Sequence, residues 1–138
     1  AADDKALRAR GIRRVVADDK PHYPCRVSLQ DAVEGERLLL VPYLHHGVDT
    51  PYRASGPIYV REAAVQARPT VGEVPALLRS RLLSLRGYDA RGMMAWADVV
   101  PGSDVESGIA ALFAIERVAY LHLHYAKPGC YACRVVRA

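Results

Sequence analysis

Long apolar runs are missing from this chain. No window approaches ~18 uninterrupted apolar residues, which excludes a membrane-crossing helix. The opening segment, AADDKALRAR, is charged from its third residue and has no apolar signal core. Cysteine is scarce and odd in number, at three. That argues against a disulfide framework and for a reducing, cytoplasmic setting. Lysine is confined to Lys5, Lys20 and Lys127, so the positive charge is nearly all arginine. Glycine-rich phosphate loops, a nucleophile elbow and a dinucleotide fingerprint are all absent.

What remains is the composition of an ordinary globular chain. Half of the 138 residues are apolar and a quarter are charged, enough for one domain to bury a core without staples. The net charge of +4 is spread singly, as in Arg61-Glu62 and Glu116-Arg117. The nearest thing to a cluster is Arg8, Arg10, Arg13 and Arg14. Nucleic-acid binders gather basic residues on one face with aromatics for stacking, so this distribution argues against such a partner.

Along the chain, residues 3–10 read as a short helix stopped by Gly11, then a strand from Ile12 to Ala17. Pro21 and Pro24 bracket an extended lead into Cys25-Arg26-Val27, and Ser28 starts a brief turn that Gly35 ends. Leu38 to Leu44 is the most apolar run and suits a strand buried on both faces, with a bulge or unpaired edge at Pro42. His45 to Gly56 is the longest polar connection. Ile58 and Val60 alternate with Tyr59 and Arg61 as a half-buried strand. Val74, Leu77, Leu78 and Leu82 have helical spacing, with Pro75 in the first turn. Ser84–Tyr88 and Met93–Val100 form a hairpin closed by Gly92 in the left-handed position. Ser103 and Glu106 make a capping box for the helix carrying Val105, Ile109, Leu112 and Phe113. Val118–Tyr125 and Tyr131–Val136 read as the last strands. Short connections between strands mean antiparallel pairing, so the expected fold is α+β: a single domain, 1–138, with a largely antiparallel sheet and two or three short helices.

Three groups of residues carry potential chemistry. Cys130-Tyr131-Ala132-Cys133 is a C-x-x-C, a spacing used for redox work and for zinc. It runs into a strand, where residues three apart face opposite ways, so the plainer reading is that Cys133 packs with Tyr131 and Val135 as a small hydrophobe. His122 and His124 share one strand face with Tyr120. They suit a metal if a third ligand comes from His22, His45, His46 or a cysteine, and otherwise form the solvated or satisfied polar face of an antiparallel sheet. The loop 45–57 combines His45, His46, Tyr52, Arg53 and Ser55 between glycines and prolines. Its arginine offers a planar fork to carboxylate or phosphate, and Arg26 joins it if the strand at Cys25 lies alongside. The plainer reading pairs Arg53 with Asp49 at the surface.

Y-P-C-R-V-S-L-x-D-A at 23–32, P-Y-R-x-S-G-P-I-Y-V-R at 51–61 and G-C-Y-A-C-R-V at 129–135 resemble a bacterial family of uncharacterised proteins, domain of unknown function twelve-oh-three. The resemblance runs from about Gly11 to the end. It implies a stand-alone bacterial protein and brings no activity, cofactor or catalytic residue with it. Function is therefore expected from the residues alone. The first expectation is binding or catalysis of a small anionic ligand around Arg53, with no cofactor. A metal site at His122 and His124 is the alternative, and a homo-oligomeric interaction protein is a third.

Overall fold

A computed structural model describes residues 3–18 and 23–137. Pro21 and His22 lie outside these. The architecture is α+β, as expected, with seven strands among the described residues divided between two antiparallel sheets ordered β1-β2-β3 and β5-β4-β6-β7. The chain groups into two compact units, Ala1–Tyr43 with Gly56–Arg68, and Leu44–Ser55 with Pro69–Ala138. No helix among the described residues is long and apolar enough to cross a membrane.

In the first unit, α1 (Asp4–Ala9) starts at Asp3, whose Oδ1 accepts the Ala6 N–H at 2.8 Å, and it buries Leu7. An aspartate at this position satisfies one of the amides that the first turn leaves unpaired. β1 (Arg13–Val16) is shorter than expected and pairs antiparallel with β2 (Arg37–His46), from Arg13 opposite Leu40 to Val16 opposite Arg37. That register stops two residues short of Pro42, so the proline costs no ladder bond to β1. β2 is not buried on both faces: Leu38 is fully covered, whereas Tyr43 and Leu44 are 43% and 45% exposed. The apolar run thus marks a strand without marking its burial.

β3 (Ala54–Arg61) flanks β2 on its other side. There two of the three recognisable sequence patterns, 23–32 and 51–61, meet. Cys25 and Tyr59 form an isolated parallel bridge, the rings of Tyr23 and Tyr59 sit edge to face at 5.4 Å, and Cys25 Sγ accepts N–H groups from Ser28 (3.4 Å) and Arg61 (3.3 Å). Burial alone would push the Cys25 thiol up, but these donors outweigh it and hold the thiol below its ordinary range. Arg61 also pairs with Glu36, and Arg14 bridges Asp4 and Glu62. Residues 23–27 and 131–135 share the pattern Y-x-C-R-V without forming a structural repeat: residues 24–28 make a bridge and a turn, and residues 131–135 make a strand.

The second unit is built on β4 (Leu82–Tyr88), β5 (Met94–Pro101), β6 (Tyr120–Tyr125) and β7 (Tyr131–Val136). One face carries Leu83, Leu85, Leu121 and Leu123, all inaccessible to solvent, each contributing about 1.5–3 kcal/mol on burial. α3 (Val105–Phe113) covers that face with Val105, Gly108 and Leu112. At Gly108 a Cβ would sit 2.9 Å from Leu85 Cδ2, so the missing side chain sets how closely the helix approaches β4.

Two helix expectations need correction. Ser103 does not cap α3, because a 3-10 turn over Gly102–Asp104 moves the helix start past it. Glu106 pairs instead with Arg79 at 2.7 Å. The preceding helix, α2 (Ala76–Arg79), is a single turn, and Leu82 belongs to β4 because the sheet claims it. Pro75 precedes this turn as its cap residue. Past α3, Arg137 donates to the carbonyls of Val118 (2.7 Å) and Ile115 (3.2 Å) and stacks over Phe113.

The hairpin and its turn are as the sequence implies, with strands Leu82–Tyr88 and Met94–Pro101 where Ser84–Tyr88 and Met93–Val100 were expected. Gly92 has φ +87°, and its missing side chain leaves room for Val48, whose Cγ1 would lie 2.6 Å from a Cβ there. Thr50 Oγ1 also donates to the Gly92 carbonyl at 3.2 Å, so the connection 47–53 rests on this turn. β5 is an edge strand, and it exposes Trp96 (58%).

Candidate functional site: a histidine and tyrosine face

The face of the second sheet opposite α3 is polar and aromatic. Alternation along β6 puts Tyr120, His122 and His124 on it, and the register places Tyr88, Arg86 and Ser84 of β4 opposite them. On the other side of β6, Arg134 is opposite His122. Arg86, His122 and Arg134 therefore form one row across three strands.

β7 contributes a further ring through a bulge. Leu123 faces Cys133 but His124 faces Tyr131, so Ala132 is the extra residue. The bulge turns Tyr131 onto the histidine face, in contact with His122 (5.2 Å between centroids) and His124 (5.8 Å). It leaves Cys133 beside Leu123, where burial pushes its thiol up to about 11. Tyr131 and Cys133 thus part company, contrary to the simple alternation read from sequence. No period-2 pattern could reveal this, because the bulge breaks the period.

The end of β2 covers the face. His45 and His46 belong to the strand rather than to a loop, and the connection shrinks to residues 47–53. His45 lies parallel to Tyr131 at 5.2 Å and edge-on to His124 at 5.1 Å. His46 sits 4.1 Å from Tyr88 and 4.9 Å from His122. Of the two forms expected for this polar face, solvated or satisfied, the solvated one does not hold: His122 and His124 are 3% and 1% exposed. The rim at Tyr120, Tyr131 and His45 is half-buried, and Arg134 is exposed.

Hydrogen bonds fix the imidazole tautomers. His46 Nδ1 lies 2.8 Å from the Tyr52 carbonyl, which can only accept, so this nitrogen carries a proton. Its Nε2 is 2.7 Å from Tyr120 Oη, and in the neutral ring it accepts the phenol proton. His124 Nδ1 likewise donates to the Gly129 carbonyl at 2.9 Å. Two buried nitrogens, His45 Nδ1 and His122 Nδ1, have no protein partner. Leaving such a group unpaired costs about 1–3 kcal/mol.

The electrostatics disfavour charge on His122 and His45 and leave two arginines without a neutralising carboxylate among the described residues. Burial, reinforced by His46, His124, His45 and Arg134, holds the His122 imidazolium pKa down at about 3. His45 is lowered by burial and by His46 and Arg86. Burial raises the Tyr88 and Tyr120 phenols, partly offset by Arg86 and Arg134 respectively. Arg86 donates to Ser84 Oγ at 3.3 Å, and the Arg134 guanidinium lies 4.5 Å from the centre of the Tyr120 ring. Among the described residues neither arginine has a carboxylate partner.

Of the residues expected around the loop, His45, His46 and Tyr52 reach this cluster. Arg53 and Ser55 are exposed, and Arg53 Nη1 donates to the Val48 carbonyl at 3.5 Å. Arg26 belongs to the first unit, where it donates to the Pro24 carbonyl. His45 and His46 are thus the third residues brought beside His122 and His124, yet no three His, Cys, Asp or Glu side chains among the described residues form a group able to hold a metal ion. Tyr120 shares the face of His122 and His124 as expected, whereas Tyr88, Tyr131, Arg86 and Arg134 were not anticipated. For Arg86 and Tyr88, a signal existed in the alternation Ser84-x-Arg86-x-Tyr88 against Tyr120-x-His122-x-His124.

The chain belongs to the family described as Protein of unknown function (DUF1203), whose model matches residues 22–137. The match begins nearer His22 than Gly11 and contains all three sequence patterns. No curated protein and no solved structure matches the chain.

Proposed function

We propose that the second unit binds a small anionic molecule on its histidine and tyrosine face. The observation that carries this reading is the row Arg86–His122–Arg134. Among the described residues, two guanidinium groups without carboxylate partners flank a neutral imidazole whose Nδ1 has no hydrogen-bond partner. Guanidinium offers paired donors to carboxylate, sulfate or phosphate, and a neutral imidazole adds one more. The half-buried rim gives such a ligand a way in. Tyr52 supplies a carbonyl that orients His46, so the connection 47–53 serves as the support of this site. Arg53 stands at its margin.

Titration with sulfate, followed calorimetrically, tests the reading. Arg86→Ala should weaken binding by about ten- to a hundredfold, the worth of a charge-assisted contact of about 1.5–3 kcal/mol. Exposed Arg134 is screened by solvent, so Arg134→Ala should cost less. Arg53→Ala should change little. The opposite ranking, with Arg53 dominant and Arg86 silent, would move the site to the loop.

A further inference from the structure

The contact between Tyr120 and His46 gives this site a proton switch. In the neutral state the His46 Nδ1 proton is committed to the Tyr52 carbonyl, and Nε2 takes the phenol proton of Tyr120. A phenol has one proton, so Tyr120 then presents only lone pairs to the sheet face. An anion meets an acceptor there. Adding one proton at His46 Nε2 reverses the bond: Nε2–H donates to Tyr120 Oη, and the phenol hydrogen rotates outward about its C–O bond. No bond of Tyr120 breaks. The face gains a donor and a positive charge, and loses a lone pair directed at the ligand.

We infer that anion binding on this face is coupled to uptake of one proton by His46, with Tyr120 relaying that protonation to the ligand. The inference rests on the anion-binding reading and adds its pH control. The pair is placed to act in this way. His46 is 2% exposed, so its bonds face no competition from bulk water, whereas Tyr120 is half-buried at the rim beside Arg134. The groups facing His46 are His45 on its own strand, the Tyr52 carbonyl, Tyr88 from β4, and Tyr120 with His122 from β6. Arg86, Arg134 and Asp89 act on those same groups from β4, β7 and the turn after β4. His122 does not take the proton in place of His46, because burial first, and then His46, His124, His45 and Arg134 around it, disfavour its charged form. A histidine is the side chain suited to such switching near neutral pH.

Sulfate is the probe, because its charge is constant across the range. Calorimetry in buffers of different ionisation enthalpy, between about pH 5.5 and 8.5, counts the protons taken up on binding. The wild-type chain should approach one proton per sulfate on the alkaline side of the transition, with affinity falling about tenfold per pH unit there. His46→Gln should bind sulfate without proton uptake. Tyr120→Phe keeps the ring, removes the relay, and should flatten most of the pH dependence, so it serves if His46→Gln folds poorly. Sulfate binding without uptake, or uptake that survives in both variants, overturns the coupling and leaves the anion reading standing. A wild-type chain that binds no sulfate at any of these pH values overturns the anion reading, and the coupling with it.

Discussion

His122 contacts the rings of His45, His46, Tyr88, Tyr120, His124 and Tyr131. Its Nδ1 is buried with no protein partner, and its protonated form is strongly disfavoured. Folding therefore opposes protonation, and the sign of the pH dependence follows. Above the ordinary histidine value of 6.5 the ring is neutral in both states and contributes no slope. Between 6.5 and about 3 the unfolded chain holds a proton that the folded chain rejects. Stability should fall as pH drops through that window, by up to about 1.4 kcal/mol per pH unit. His45 is lowered too and adds in the same direction. Carboxylates held low by their partners, such as Glu36 beside Arg61, lose their contribution only below their own ordinary value of 4.5. The histidine loss therefore starts first. Urea midpoints at pH 7 and pH 5 should differ, with the lower at pH 5. His122→Phe should shrink that difference, leave stability at pH 7 unchanged or raised, and abolish sulfate binding. Such an outcome would mark His122 as a residue kept for its chemistry.

At the scale of elements, the turn at 89–92 decides more than its own hairpin. Gly92→Val would force a branched side chain into φ +87° and against Val48, disturbing both β4–β5 and the connection that orients His46. Unfolding by urea should show a loss of about 2 kcal/mol or more, combining backbone strain with a contact that has no slack. The hairpin was legible because Asp89-Ala90-Arg91-Gly92 separates two alternating runs, and the bounds of β7 were legible although its bulge breaks the alternation. Other elements were hidden by causes that local pattern does not carry. Leu82 has helical spacing with Leu78, but pairing with Pro101 makes it strand. Ser103 and Glu106 have capping-box spacing, but the 3-10 turn shifts their positions on the helix. His45 and His46 look like loop residues because Gly47 and Pro51 follow them, and tertiary packing extends β2 through both.

At the scale of the whole molecule, antiparallel pairing and the α+β class followed from short connections, whereas the split of the strands into two sheets did not. Strand order depends on which edges meet, and the sequence writes no mark for that. The candidate site was half legible. His122 and His124 were placed on one face, and the loop histidines were selected, but nothing in the sequence joined the two groups. Joining them needs contacts between residues more than seventy positions apart, such as that of His46 with Tyr120.

The position of Trp96 decides how this molecule can be watched. It is the chain's one tryptophan, and it stands on the edge strand with more than half its surface in water. Its emission should already be red-shifted in the folded state and move little on denaturation, so indole fluorescence would underreport unfolding. The tyrosines are the better reporters, since Tyr88 and Tyr120 stack at 5.5 Å in the site itself. Near-ultraviolet circular dichroism should lose its tyrosine signal in the same transition that removes sulfate binding, while the indole spectrum stays almost where it began.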